Sequence, residues 1–245
     1  TYVGWAWDAG TSTVSNTDGS ITSSVRVSQT NGISIVSFTG NNTNGATVGH
    51  GLNAVPEFAI FKDRDSTKGW AIYHKDVAPK VLDFTTAAAF TSQEQFNQTA
   101  PTSSVFTLGS NGRTNQNGND VIAYCFAPVD GFSSVGSWTG NGSTDGPFVY
   151  TGHKVAWLMY KRTDSSNSWQ ILDTTRDPAN VNNLVLLANS SNAESTGTGN
   201  NDQFDLLSNG FKVRSSNHAG NASGGTYIYL AFAEHPFSLN GGLAR

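Results

Sequence analysis

The phrase Ser37-Phe38-Thr39-Gly40-Asn41 returns about a hundred residues later as Ser137-Trp138-Thr139-Gly140-Asn141, and any fold for this chain must hold both copies. The echo runs on. Phe58 to Lys62 is answered by Trp157 to Lys161, Asp65-Ser66 by Asp164-Ser165, and Trp70-Ala71-Ile72 by Trp169-Gln170-Ile171. Val121 to Ala127 returns as Tyr227 to Ala233, each followed by a Pro and then a Phe, at Phe132 and Phe237. A period this long exceeds that of stacked solenoid repeats and predicts two like modules in tandem. At 245 residues the chain can give each module its own core.

The elements predicted within each copy are short strands. Ile33 and Ile35 alternate with Ser34, and the Phe58-to-Lys62 segment has apolar residues on both faces, as the central strand of a sandwich does. Stretches rich in Gly, Asn, Ser and Thr, such as Thr39 to Gly45, punctuate them as loops. Asn209-Gly210 between apolar runs predicts a hairpin turn. Only Ala87-Ala88-Ala89-Phe90, within the interval Thr85 to Ala100, carries a helical signal, and its Thr-rich flanks weaken it. The fold class expected is all-β: two tandem, duplicated antiparallel β-sandwich modules. Module one spans 33–132 and module two 133–237, after a β lead-in at 1–32 and before a short flexible tail at 238–245. The lead-in, with alternation from Tyr2 to Trp7 and again at Ile21, Val25 and Val27, either packs on module one or belongs to a preceding part of a longer protein. A first residue of Thr is in keeping with a piece of a larger product.

Composition narrows the function classes. Asp, Glu, Lys and Arg make up 13% of the chain, against about a quarter in an average soluble domain, so the surface is largely hydroxyl and amide. A net charge of -4 without a basic run argues against nucleic acid and against a polybasic membrane contact. No apolar run reaches the about 20 residues a membrane helix needs. Cys125 is the single cysteine, which leaves no intrachain disulfide and no Cys-based zinc site, and its place in an apolar run makes it a core residue.

Several groupings could carry chemistry, and each has a plainer reading. His74 beside Asp76 could form an acid-base pair, since a carboxylate fixes an imidazole tautomer. The second copy has Asp173 in place of that histidine and neither copy shows a nucleophile signature, so no enzyme and no catalytic residue is expected. Asp63, Asp65, Asp145 and Asp164 could offer oxygens to Ca²⁺, but match no spaced calcium loop and read as turn carboxylates. His50 and His153 read as turn residues, and no metal or cofactor is expected. Five Asn-x-Ser/Thr sequons, at Asn41, Asn97, Asn141, Asn189 and Asn221, are what chance supplies in such a chain. Trp70 and Trp169, at matching places after polar hairpins, could stack on the apolar face of a sugar while Asn, Asp and Lys bind its hydroxyls. Ile72 and Ile171 on the same face favour instead a core role for both tryptophans. The candidate ligand-binding set is therefore Trp70, His74, Asp76, Trp169 and Asp173.

The wording of several segments is specific. Val14 to Ile21, Thr47 to Leu52, Thr99 to Phe106, Ile122 to Phe126, Thr139 to Gly152, Leu207 to Lys212 and Tyr229 to Phe237 resemble an uncharacterised module of marine bacteriophage structural proteins. In that family the module often follows a laminin-G or concanavalin-like lectin domain in tail fibres and other virion surface parts. The resemblance covers nearly the whole chain and implies a non-enzymatic virion surface protein: a tail fibre, tail tip or head decoration used for host attachment or assembly. It implies no particular site residue. The expected partners are other virion subunits, including further copies of this chain, and a host surface glycan. A glycan-degrading hydrolase and a pure structural spacer or oligomerisation module are the alternatives; the first needs two carboxylates about 5 to 10 Å apart across a cleft, for which Asp76 with Asp83 or Glu94 is the grouping module one offers.

Overall fold

The structure, a computed structural model, describes residues 3–91, 95–196 and 203–233. The chain divides into two compact units. Unit 1 comprises Thr1–Asp83 and Thr91–Ala127, and unit 2 comprises Phe84–Phe90 and Pro128–Arg245. The lead-in is thus part of unit 1, the junction falls at Ala127/Pro128, and the stretch from Phe84 to Phe90 belongs with the second unit. The tail at 238–245 lies outside the described residues.

Unit 1 is built from β1 (Thr13–Asn16), β2 (Ser23–Ser28), β3 (Ile33–Thr39), β4 (Ala46–Gly49), β5 (Phe58–Asp63), β6 (Ala71–His74), β7 (Lys80–Val81), β9 (Val105–Leu108) and β10 (Asp120–Phe126), with the short β8 (Phe90–Thr91) falling on the boundary between the units. Its main sheet has the order β1-β2-β3-β10-β5-β6, antiparallel at every pairing. The pair β4-β9 forms a second small sheet. Apolar residues on β5, β6 and β9 meet as rings: Phe61 lies 5.2 Å from both Phe96 and Phe106, edge to face. Tyr73 lies 5.8 Å from each of the same two rings. Edge-on contacts of this kind suit the ring quadrupole and add to burial.

Unit 2 contains β11 (Ser133–Thr139), β12 (Phe148–Tyr150), β13 (Val155–Arg162), β14 (Gln170–Asp173), β15 (Leu184–Leu187), β16 (Ser195–Thr196), β17 (Phe204–Leu207), β18 (Gly210–Val213), the short helix α1 (His218–Asn221) and β19 (Thr226–Ala233). The main sheet runs β11-β19-β13-β14-β15-β16, and the second β12-β18-β17. The four-strand series β3-β10-β5-β6 therefore has its match in β11-β19-β13-β14, and β4-β9 in β12-β18. Register agrees as well as order. His74 stands opposite Phe58, and Asp173 opposite Trp157. All-β architecture with antiparallel sheets is what the alternating pattern predicts, and the side chains of both sheets of unit 2 share one core of Trp138, Tyr160, Phe204, Phe211 and Tyr229 with their aliphatic neighbours.

The repeated phrase is a clamp between a strand and a loop. Gly40 and Gly140 sit where a Cβ would run into the carbonyl oxygen of Gln116 and of Ala222 respectively, so neither site tolerates a side chain. Immediately after, a buried asparagine holds the loop. Asn115 Oδ1 accepts from the Asn41 N–H at 2.9 Å and its Nδ2 donates to the carbonyls of Gly109 and Thr43. Asn221 does the same for Asn141, with its Nδ2 reaching the carbonyls of Ser143 and Ser215. The aromatic between them is core: Trp138 is 7% exposed and stacks on Tyr227 at 4.9 Å, its indole N–H donating to the Gly220 carbonyl.

Two local expectations are corrected. Among the described residues of Thr85 to Ala100 there is no helix, because the backbone is used elsewhere: the Ala89 N–H donates to the Thr163 carbonyl at 2.8 Å and the Thr86 carbonyl accepts from Asn167 at 2.7 Å. The hairpin between β17 and β18 turns on Ser208-Asn209, with Leu207 already paired to Gly210. Gly210 serves close approach, since a Cβ there would strike the Val149 carbonyl of β12.

Candidate functional site

The candidate residues from the sequence take up structural posts. Trp169 is 1% exposed; its backbone N–H donates to Asn189 Oδ1 at 2.8 Å and its ring meets Phe84 edge to face at 5.4 Å. Trp70 is half-buried, and its carbonyl accepts from Arg113, which also pairs with Asp83 at 3.2 Å. His74 ends β6 fully buried, nearly perpendicular to Phe58, with Nδ1 accepting from the backbone N–H of Asp76 at 3.1 Å. That bond places the ring proton on Nε2. The Asp76 carboxylate is on an exposed residue. Asp173, at the matching end of β14, is buried against Arg176 Nε at 2.6 Å and accepts from the N–H groups of Thr175 and Arg176. Arg176 continues to Glu194. Trp70, His74 and Asp76 lie in unit 1, Trp169 and Asp173 in unit 2, so the five do not form one site within either.

Several other titratable groups are likewise committed. Asp65 Oδ2 accepts from the Asp120 N–H at 2.6 Å, and Asp164 Oδ1 from Thr226 at 3.1 Å, each closing the first residue of the next strand in its unit. The guanidinium of Arg162 holds the Asp164 carboxyl down at about 2. Asp145 pairs with Lys212 at 2.7 Å. Burial pushes the Cys125 thiol up to about 12, so it stays protonated and unreactive at neutral pH. His50 is buried with Nε2 on the Thr102 carbonyl and Nδ1 accepting from Leu52. Among the described residues no three His, Cys, Asp or Glu side chains gather as metal ligands would.

Unit 1 contains a cleft of about 270 Å³. Its wall is built from three segments. β6 supplies Tyr73; the turn after it, closed by the N–H groups of Val77 and Ala78 on the His74 carbonyl, brings Ala78 and Pro79 and leads to Lys80. The far side is Phe96 with Gln98, Thr99 and Ala100. Phe96 is fixed by Phe61 and Phe106, and the chain then passes through left-handed Asn97 and Gln98, at φ 47° and 50°, before the Thr99 N–H closes a turn on the Phe96 carbonyl. Left-handed backbone at two successive non-glycine residues is costly and fixes the rim in one shape. Burial, with the nearby carboxylates of Glu57 and Asp76, raises the Tyr73 phenol, which keeps it neutral. The cleft therefore offers an apolar floor, an amide, a hydroxyl and an ammonium group. These are means of holding a small uncharged or weakly anionic molecule by an apolar face, and the described lining carries no carboxylate.

The cleft residues were not singled out from the sequence, because they come from segments that read as loop and the aromatic residues by themselves read as core. The signal present was Asn97-Gln98 directly after Phe96, polar residues where the fold needs a tight reversal. Residues 1–236 match a family described as a domain of unknown function, DUF7483. No curated protein and no solved structure matches the chain.

Proposed function

The chain belongs to that domain-of-unknown-function family, and on this premise we propose that it is a non-enzymatic surface module of a phage particle that attaches to a neutral host glycan through the unit 1 cleft. The observation that carries the reading is the cleft itself: an apolar floor of Tyr73, Pro79 and Phe96 ringed by Lys80, Gln98 and Thr99. A pyranose presents an apolar face and a rim of hydroxyls, and this lining complements both. The low charge of the chain, 13% Asp, Glu, Lys and Arg, supports recognition through hydroxyls and amides. The phage setting rests on the resemblance of segments such as Thr139 to Gly152 and Tyr229 to Phe237 to modules of virion surface proteins. Hydrolysis has less support, since Asp83 is taken up by Arg113 and Asp76 is absent from the cleft lining, while Glu94 lies outside the described residues.

Adsorption of the labelled chain to host cells tests this. Saturable binding is expected, competed by purified surface glycan. Lys80→Ala and Ala100→Trp, both at exposed lining residues, should each weaken it at least tenfold, an effect of about 1.4 kcal/mol. Adsorption that is absent, or indifferent to both substitutions, would remove the cleft from the account.

A further inference from the structure

Among the described residues, unit 2 lacks a strand that unit 1 has. In unit 1 the outer edge of β3 is covered by β2, antiparallel, with Ser24 opposite Ser37, Val25 opposite Val36 and Val27 opposite Ser34. The same stretch of chain reaches the second sheet. Ile21 N–H donates to the Thr47 carbonyl at 2.9 Å, Ser20 Oγ accepts from the Thr47 N–H, Ser23 Oγ donates to the Gly49 carbonyl, and the Asn16 side chain lies over Gly49. Ile21, Ser23 and Val25 are buried there.

Among the described residues no strand covers the matching edges of unit 2, where the Ser133 N–H alone is taken up, by the Val129 carbonyl at 2.9 Å. β11, the counterpart of β3, is the last strand of its sheet. On the second sheet β12, the counterpart of β4, is also an edge strand, and it turns Phe148 and Tyr150 outward at 46% and 68% exposure where unit 1 has the covered Thr47 and Gly49. Both bare features thus fall on the side that β2 and its approach close in unit 1. Natural edge strands are guarded by lysine, proline or a bulge. β11 reads Ser-Ser-Val-Gly-Ser-Trp-Thr and runs in unbroken register with β19 along its full length, so it has none of these.

We propose that β11 pairs antiparallel with β11 of a second copy of this chain about a twofold axis at Gly136, the partner strand taking the place that β2 holds on β3. Such pairing sets Ser133 against Thr139, Ser134 against Trp138 and Val135 against Ser137, with no charge opposed to a like charge. The direction is the one β2 already takes on β3, and a twofold interface requires the same patch on both copies, which a self-pairing strand supplies. Main-chain hydrogen bonds hold such an addition, and the exposed Phe148 and Tyr150 beside it supply side-chain contact to the incoming strand. A glycan could use the rings but would leave the edge unpaired. The inference is independent of the glycan reading, which concerns unit 1.

Sedimentation of the whole chain over a wide concentration range, with hydrogen exchange read at Ser133 to Thr139, tests it. The expected result is a monomer-dimer equilibrium in which the outward amides of Val135, Ser137 and Thr139 become protected as the dimer forms, those of Ser134, Gly136 and Trp138 being already turned to β19. Ser137→Lys with Thr139→Lys, both at exposed positions, should raise the dissociation constant at least tenfold without altering the circular dichroism. Phe148→Ser with Tyr150→Ser should raise it too, and provides a second reading if the lysine variant folds poorly. A chain that stays monomeric throughout, a dimer that survives both pairs of substitutions, or protection of β11 that appears only when a different polypeptide is added would each overturn the proposal.

Discussion

Single buried polar residues carry much of the order in this chain. Asn115 and Asn221, fully buried, occupy equivalent posts, each satisfying three or more backbone partners of a loop that has no regular pairing of its own. Truncation would leave buried amides and carbonyls unpaired at about 1–3 kcal/mol for each group exposed to that fate. Asn115→Ala and Asn221→Ala are therefore each expected to cost about 3 kcal/mol in urea titration; a loss under about 0.5 kcal/mol would contradict the clamp. Histidine burial makes a second prediction. Burial drives His153 down to about 4, against a smaller opposing pull from the Thr151 backbone, and it lowers His50 as well. The unfolded chain binds these protons near 6.5 and the folded chain resists them, so stability is full above about 6.5 and declines as pH falls toward 4. For His153 alone the decline is on the order of 3 kcal/mol. His153→Gln should flatten the stability profile across that window, and an unchanged profile would show that this residue is not its source.

At the level of strands, the two units solve one packing problem in two ways. Val36 on β3 faces Ala123 on β10, whereas Gly136 on β11 faces Tyr229 on β19. A Cβ on Gly136 would come within 2.9 Å of the Tyr229 ring, so the small residue makes room for the large one across the pair. Gly136→Val alone should cost about 2 kcal/mol by overpacking, and Tyr229→Ala about 4 kcal/mol by leaving a cavity. Together they recreate the unit 1 pair, and the double variant should be more stable than the sum by at least about 1 kcal/mol. Strict additivity would count against the equivalence of the strands. This level was the most legible in the sequence. The echo of Ser37 to Asn41 in Ser137 to Asn141 and the aromatic alternation around Phe58 and Trp157 mark out strands that the structure contains. Less legible was the role of the lead-in: Ile21 and Val25 show alternation, but nothing local says that they close unit 1 and have no counterpart among the described residues of unit 2. The three alanines at 87–89 carry a helical propensity that long-range hydrogen bonds to Thr163 and Asn167 override.

For the molecule as a whole, the two units keep one framework and differ in what surrounds it. Where the two units match, at the Gly-Asn phrase and at Asp65 and Asp164, the side chains serve loops and strand ends, and Trp169 serves the core. Where they differ, unit 1 has a cleft beside Tyr73 and a covered edge, and unit 2 has an open edge with Phe148 and Tyr150 exposed. The candidate site was hard to see in the sequence because its lining is assembled from 73–80 and 96–100, segments joined only by the fold, while of the two tryptophans that looked most apt for sugar stacking Trp169 is buried and Trp70 half-buried. Attachment through the unit 1 cleft is the central claim, and an NMR titration of the labelled chain with host surface glycan addresses it most directly. The account predicts saturable shifts concentrated at the backbone amides of Tyr73, Ala78, Lys80, Thr99 and Ala100, lost in Ala100→Trp; shifts confined to unit 2, or none at saturating glycan, would contradict it.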